Sequence, residues 1–162
     1  MLEIGSYRLE IFPEKTKEEY EALPCGDADN PAVCFFRHLM KSAPVDALGF
    51  LESLGIDPMK ITLARPLTQP DEMGEILYLA CAPLCARVLA GGDTEPRQSE
   101  ETCGISVIFV GERNDFSPAL PAFSQPCAEL RFVIPLPFDA SFFEKPVDIS
   151  FEDAVLLGSD KI

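Results

Sequence analysis

Residues 76–90 form the longest apolar stretch of the chain and read ILYLACAPLCARVLA. Apolar side chains would lie on nearly every side of a helix drawn through this stretch. We therefore predict a buried helix over about Pro70 to Ala90, packed between a sheet and other helices and kinked at Pro83. Acidic residues at 71–75 would lie at the positive end of that helix, where its dipole favours them. The stretch is shorter than the roughly 20 residues of a membrane-spanning helix.

Local start and stop signals predict three shorter helices. Thr16 to Glu19 match a capping box, in which the Thr hydroxyl caps a helix that runs to about Leu23. Asn30-Pro31 is an N-cap followed by proline at the first helical position. Pro44 opens a third helix, and Gly55 is typical of the left-handed residue that ends one.

Two later stretches have different strand patterns. Residues 105–110 are almost continuously apolar and rich in β-branched side chains, which predicts a central strand buried on both faces. Residues 130–138 alternate between apolar and other side chains. Pro135 and Pro137 have the same parity, so both missing amide donors lie along one side, where no neighbour can pair regularly. We therefore predict an edge strand near 130–138.

The order of these elements predicts an α+β fold in a single domain over residues 1–162. Strands over 2–12 and 59–65 bring the expected sheet to about four strands, mixed or antiparallel, with helices packed mainly on one face. No linker rich in Gly, Ser or charge separates two domains. Residues 147–157 match a helix and a strand equally well.

Composition and missing motifs argue against several functions. The 162 residues carry 13 Lys plus Arg and 27 Asp plus Glu, a formal net charge of −14. This charge repels nucleic acid phosphates and anionic membrane surfaces, so we expect neither as a partner. The first residues lack the pattern of a signal peptide, which predicts a cytoplasmic protein with reduced cysteines. No Walker loop, nucleophile elbow or dinucleotide-binding glycine pattern occurs, so we expect no cofactor and favour a non-catalytic role.

The six cysteines and the single histidine, His38, are the candidate metal ligands and nucleophiles. Cys34 and His38, and likewise Cys81 and Cys85, are four residues apart on predicted helices, so each pair points to one side of its helix. If the two helices faced each other, three thiolates and an imidazole could form a tetrahedral zinc site. One alternative is that the cysteines are buried as small apolar side chains. Another is a reactive thiolate at Cys34 or at Cys25.

Three functions remain open on the sequence alone. The leading one is a non-catalytic module that binds a protein, with a basic partner favoured by the negative charge. Its candidate contact surface is residues 112–125, where Phe116, Leu120 and Phe123 are predicted as partly exposed anchors, unless these side chains fold back onto the sheet. The alternatives are a cysteine-based zinc or thiol-reactive protein and a small-molecule-binding protein or enzyme. The last of these would have its pocket between the long helix and the sheet. The oligomeric state is not predicted.

Overall fold

A computed structural model describes residues 1–5, 7–23, 30–90, 100–112 and 123–138 of the chain. These residues contain three α-helices and seven strands, so the protein is α+β as predicted, with more strands than the expected four. The strands are β1 (Leu2–Ile4), β2 (Tyr7–Ile11), β3 (Leu63–Pro66), β4 (Glu75–Ala90), β5 (Glu100–Thr102), β6 (Ile105–Glu112) and β7 (Cys127–Pro137). The helices are α1 (Pro13–Glu21), α2 (Pro31–Met40) and α3 (Val45–Ser53), with a short 3-10 helix at Pro58–Lys60.

The seven strands form one antiparallel sheet. Their order is β1-β2-β4-β7-β6-β5, and β3 pairs with β4 as well. None of the helices in the described part of the chain has the length and apolar character needed to span a membrane. Residues 147–157, which match two patterns in the sequence, lie outside the described residues.

The prediction of a helix over about Pro70 to Ala90 was wrong, because most of this stretch forms the central strand β4. Residues 80–86 of β4 are buried without interruption. A strand covered on both faces has the same unbroken apolar pattern as a buried helix, so periodicity does not separate the two. The acidic residues before β4 build a turn instead. Oδ1 of Asp71 accepts hydrogen bonds from the backbone N–H groups of Met73 and Glu75, each at 2.9 Å.

The prediction of an edge strand near 130–138 was also wrong, because β7 lies between β4 and β6. The N–H of Phe138 donates to a carbonyl of the β3–β4 turn at 2.7 Å, which places that N–H on the β4 side. Backbone N–H groups alternate along a strand, so the nitrogens of Pro135 and Pro137 face the β6 side. Pairing with β6 extends only to Val133. Both prolines therefore lie beyond β6, where they interrupt no ladder bond.

Helix α1 fills a gap along one edge of β4. Strands β3 and β2 pair with different parts of this edge and leave a break between them. In the break, the hydroxyl of Tyr20 donates to the carbonyl of Pro83 at 2.7 Å. The N–H of Cys85 donates to Oγ1 of Thr16 at 2.8 Å. Thr16 and Tyr20 are one helical turn apart, so both face the strand. We call these four residues the α1 seam.

The prediction that Thr16 caps a helix was wrong in position. Helix α1 begins at Pro13 after the N-cap Phe12, which places Thr16 in the first turn with its side chain buried. Its hydroxyl donates to the carbonyl of Phe12 at 3.1 Å. Proline is preferred at the first helical position, so the helix starts one turn earlier than the capping box suggests. The Thr16 hydroxyl is thereby available to the α1 seam.

Helix α2 confirms the start signal at Asn30-Pro31. The side chain of Asn30 accepts a hydrogen bond from the N–H of Ala32 at 2.8 Å. The helix packs on β4 around Tyr78, whose hydroxyl donates to the carbonyl of Ala32 at 2.7 Å. The rings of Phe35 and Phe36 contact the Tyr78 ring at centroid distances of 6.3 and 5.3 Å. Helix α3 likewise follows Pro44 and is succeeded by Gly55 at φ +82°, as predicted.

Candidate functional site

A groove of about 490 Å³ opens between α1, α3 and the 3-10 helix. Part of its wall is apolar, because Tyr20, Leu48 and Ile56 contribute to its lining. Charged side chains line the remainder: Glu14, Lys17, Glu21, Glu52 and Asp57. The groove therefore combines apolar and charged lining residues.

The electrostatic character of the groove is acidic. Four carboxylates against one ammonium, that of Lys17, amount to a formal charge of −3. Three of the carboxylates belong to exposed residues, Glu14, Glu21 and Glu52. Within the part of the chain that the structure describes, none of these three carboxylates forms an ion pair. The groove thus presents uncompensated negative charge to a ligand.

Lys60, the last residue of the 3-10 helix, binds the carbonyl groups at the end of α1. Its Nζ donates to the carbonyl of Tyr20 at 2.8 Å and to the carbonyl of Leu23 at 3.1 Å. A lysine at this position compensates the partial negative charge of the helix C-terminus. On the same turn, Oδ1 of Asp57 accepts a hydrogen bond from the N–H of Met59 at 3.0 Å. Local hydrogen bonds therefore hold this wall of the groove in place.

Close backbone contact at Gly55 brings α1 and α3 together. A Cβ atom at this position would overlap the carbonyl oxygen of Pro13 and lie 2.9 Å from Cβ of Thr16. Its φ of +82° is also unfavourable for other residues. Glycine is therefore required for the two helices to approach this closely and form the groove.

Two of the groove carboxylates stand where they oppose helix stability. Glu21 is the last residue of α1, and Glu52 is the next to last residue of α3. Neither helix has a basic residue in its own last turn, although Lys60 of the 3-10 helix donates to the carbonyls at the end of α1. A negative charge at a helix C-terminus costs about 0.3–1 kcal/mol at low ionic strength.

The four predicted zinc ligands are divided between two elements, α2 and β4. Cys34 and His38 are on α2, both half-buried. Cys81 and Cys85 are on β4, where residues four apart in an extended strand are separated by about 13 Å. The two thiols are therefore too far apart to bind one zinc ion. Across the described ranges, no group of three or more His, Cys, Asp or Glu side chains could hold a metal ion.

Cys81 belongs to a polar cluster on the sheet face opposite α2. Burial, followed by the nearby charge of Glu129, raises the pKa of the Cys81 thiol from 9.0 to about 12. Glu129 is 2% exposed, and its Oε2 accepts a hydrogen bond from Nε of Arg131 at 2.8 Å. The other carboxylate oxygen of Glu129 and Nε of Arg65 have no hydrogen-bond partner among the described residues. We call Cys81, Glu129, Arg131 and Arg65 the Glu129 cluster.

The aromatic anchors predicted for a partner surface are only partly described. Phe116 and Leu120 lie outside the described residues. Phe123 is 6% exposed, and its ring packs edge-on against that of Tyr20 with centroids 5.0 Å apart. Phe123 is therefore buried against α1 and offers no exposed anchor.

The groove itself was missed from the sequence. The expected pocket depended on a long helix at 70–90, which does not exist. One signal was available, because Glu14, Lys17 and Glu21 are spaced so that they share one face of a helix. Nothing in the sequence places that face beside Glu52, since the contact depends on the packing of α1 against the residues after α3.

Comparison of the chain with protein-family models, with curated proteins and with solved structures finds no match.

Proposed function

We propose that this protein is a non-catalytic binding module whose acidic groove binds a basic segment of a partner protein. The observation that carries the proposal is the groove between α1 and α3, with its formal charge of −3 on a chain of net charge −14. Negative charge concentrated in a concave site attracts cationic groups and speeds their encounter.

The shape and lining of the groove suit long basic side chains. Its volume of about 490 Å³ is within the range of pockets that hold small ligands, and it leaves room for a Lys or Arg side chain. The half-buried side chain of Leu48 can contact the methylene groups of such a side chain, and the buried Tyr20 and Ile56 lie in the wall behind it. The carboxylates of Glu21 and Glu52 can then pair with its charged end.

The test is binding of a labelled peptide that contains several arginines, followed by fluorescence anisotropy. We expect binding that weakens between about 50 and about 200 mM NaCl, because exposed charges are screened by salt. The matched control peptide carries citrulline in place of each arginine, which keeps the shape and removes the charge. Equal binding of the two peptides, or no binding of either at low salt, would contradict the proposal.

Paired variants locate the binding site. The double variant Glu21→Gln, Glu52→Gln removes two groove charges, and we expect binding about threefold to tenfold weaker. The control variant Glu72→Gln, Glu75→Gln removes two exposed charges before and at the start of β4, away from the groove. It is expected to bind as the unmodified protein does. If both variants lose affinity equally, the peptide senses only the net charge of the chain and the groove is not its site.

Stability distinguishes lost binding from lost folding. The groove variant removes two exposed carboxylates, and Glu52 is at a helix C-terminus that has no basic residue in its last turn, so we expect the free energy of unfolding to stay equal or rise by a few tenths of a kcal/mol. Urea denaturation measures this value. Weaker binding by a variant that is at least as stable as the unmodified protein locates the effect in the groove.

A further inference from the structure

Cys85 and Cys127 lie directly opposite each other in the pairing of β4 with β7. The backbone groups of Cys85 both point away from β7: its N–H donates to Oγ1 of Thr16 at 2.8 Å, and its carbonyl accepts from the N–H of Phe12 at 3.0 Å. The next residue, Ala86, donates its N–H to the carbonyl of Pro126, the residue before β7, at 3.1 Å. Cys85 and Cys127 therefore form a non-hydrogen-bonded pair.

This kind of pair has a geometry that suits a disulfide. Opposite residues in a non-hydrogen-bonded pair have Cα atoms about 4.5 Å apart, and their side chains share one face of the sheet. Disulfides join cysteines whose Cα atoms are about 4.4 to 6.8 Å apart. By contrast, Cys81 faces Arg131 across β7 and Leu63 across β3, and the exposed Cys103 lies in the β5–β6 turn.

The burial and the electrostatics of Cys85 and Cys127 agree with a short distance between their sulfurs. Cys85 is 0% exposed and Cys127 is 2% exposed, and both belong to the main core. Burial raises the pKa of the Cys85 thiol, and the neighbouring Cys127 raises it further. The same two cysteines contribute to the raised pKa of Tyr20, after its burial. The Cys127 thiol therefore lies close to the α1 seam, to which Cys85 belongs.

We propose that Cys85 and Cys127 are a redox modification site, a dithiol that a peroxide oxidises to a disulfide across β4 and β7. One thiol attacks hydrogen peroxide, which yields a sulfenic acid and one water. The second sulfur then attacks the sulfenic sulfur, forms the S–S bond and releases a second water. The two sulfurs lose two electrons and the peroxide oxygens gain them. These are the two cysteines that the pairing of the described strands places opposite each other.

Oxidation at this site has a physical consequence and a slow rate. The bond joins two central strands whose cysteines are far apart in sequence, so it restricts the unfolded chain and stabilises the fold. Cys85 is buried and its thiol has a raised pKa, so it carries little thiolate at neutral pH and the reaction waits for local opening. Cys127 is the first residue of β7 and follows the exposed Ser124 and Gln125, so the strand end is where opening begins.

The experiment treats the reduced full-length chain with hydrogen peroxide, blocks remaining thiols with N-ethylmaleimide, and maps peptides without reduction. We expect a chain that has lost two hydrogen atoms, with one linked peptide pair that contains Cys85 and Cys127. The urea midpoint of the oxidised chain is expected to rise and to return after treatment with dithiothreitol. The same oxidation in urea should give mixed pairings, because only the fold aligns these two sulfurs.

Variants make the outcome decisive. A chain in which Cys25, Cys34, Cys81 and Cys103 are replaced by alanine retains only the proposed pair, and it should form the intramolecular link. Adding Cys127→Ala should abolish the link, while circular dichroism confirms that both variants are folded. A folded wild-type chain whose oxidation stops at sulfinic acid, or links other cysteines, would overturn the proposal.

Discussion

The α1 seam and the Glu129 cluster are neighbours, because Pro83 of the seam pairs with Glu129 across β4 and β7, yet their buried polar groups differ in hydrogen bonding. In the seam, hydroxyls of Thr16 and Tyr20 satisfy backbone groups of β4 that no strand reaches. In the cluster, one oxygen of the buried Glu129 remains without a hydrogen-bond partner among the described residues. A side chain that completes backbone bonding stabilises the fold, whereas a buried charge with an unsatisfied oxygen costs desolvation energy.

The largest expected effect comes from substitutions at the two partners of the ion pair in the Glu129 cluster. Arg131→Met leaves the carboxylate of Glu129 buried without its partner, and we expect a loss of about 3–5 kcal/mol in the free energy of unfolding. Glu129→Met removes the buried charge instead. Arg131 keeps its position 5.0 Å from the centre of the Phe109 ring, and its side chain is 30% exposed, so stability should change by less than about 1 kcal/mol.

Urea denaturation at neutral pH measures both variants. Equal losses from the two substitutions would show that the ion pair itself, and not the burial of Glu129, determines stability at this place.

The second effect breaks the α1 seam. Tyr20→Phe leaves the carbonyl of Pro83 without its donor, and Thr16→Val leaves the N–H of Cys85 without its acceptor. Each loss should cost about 1–3 kcal/mol, because an unsatisfied buried group keeps its full desolvation penalty. Thermal or urea unfolding measures the change. Tyr78→Phe is the matched control. It removes a buried hydroxyl that donates to the Ala32 carbonyl of α2, and not to a carbonyl of β4. Seam variants as stable as the unmodified protein would show that water replaces the hydroxyls.

The smallest expected effect is a change in the pH dependence of stability, and it concerns Cys81 of the Glu129 cluster. The Cys81 thiol has its pKa raised from 9.0 to about 12, so the unfolded chain loses this proton first as pH rises. The contribution of Cys81 to stability is therefore complete below about pH 9 and is lost as pH approaches 12. Between pH 9 and 11 we expect Cys81→Ala to lose about 1–2 kcal/mol less stability than the unmodified protein.

The exposed Cys103 supplies the control for this measurement. Cys103→Ala makes the same substitution at an exposed position and gives the reference slope. Identical slopes for all three proteins would show that Cys81 is not protected in the folded chain.

Local signals for the start of α2 and the end of α3 were the part of the fold that could be predicted well. Asn30 bonds an N–H two residues away, and Gly55 adopts its positive φ directly after α3. Both signals act within a few residues of the chain, so they appear in the sequence. Thr16 carried the same kind of signal, yet Pro13 starts the helix earlier and leaves the Thr16 hydroxyl to β4.

Predictions that depended on distant neighbours failed. Pro135 and Pro137 do face a side without ladder bonds, but only because β6 ends before them, so β7 is central. Cys81 and Cys85 were paired as helix neighbours, whereas in a strand their spacing separates them. The groove could not be predicted for a similar reason, since most of its carboxylates come from two helices that meet at Gly55.

The sequence by itself determined the net charge of −14, the caps of α2 and α3 and the α+β class. Each of these depends on composition or on contacts within a few residues. Only the tertiary structure decided that residues 75–90 are a strand, that β7 is central and that four carboxylates share one groove. An apolar segment buried on all sides is compatible with a helix or a strand, and the choice is made by the segments that pair with it.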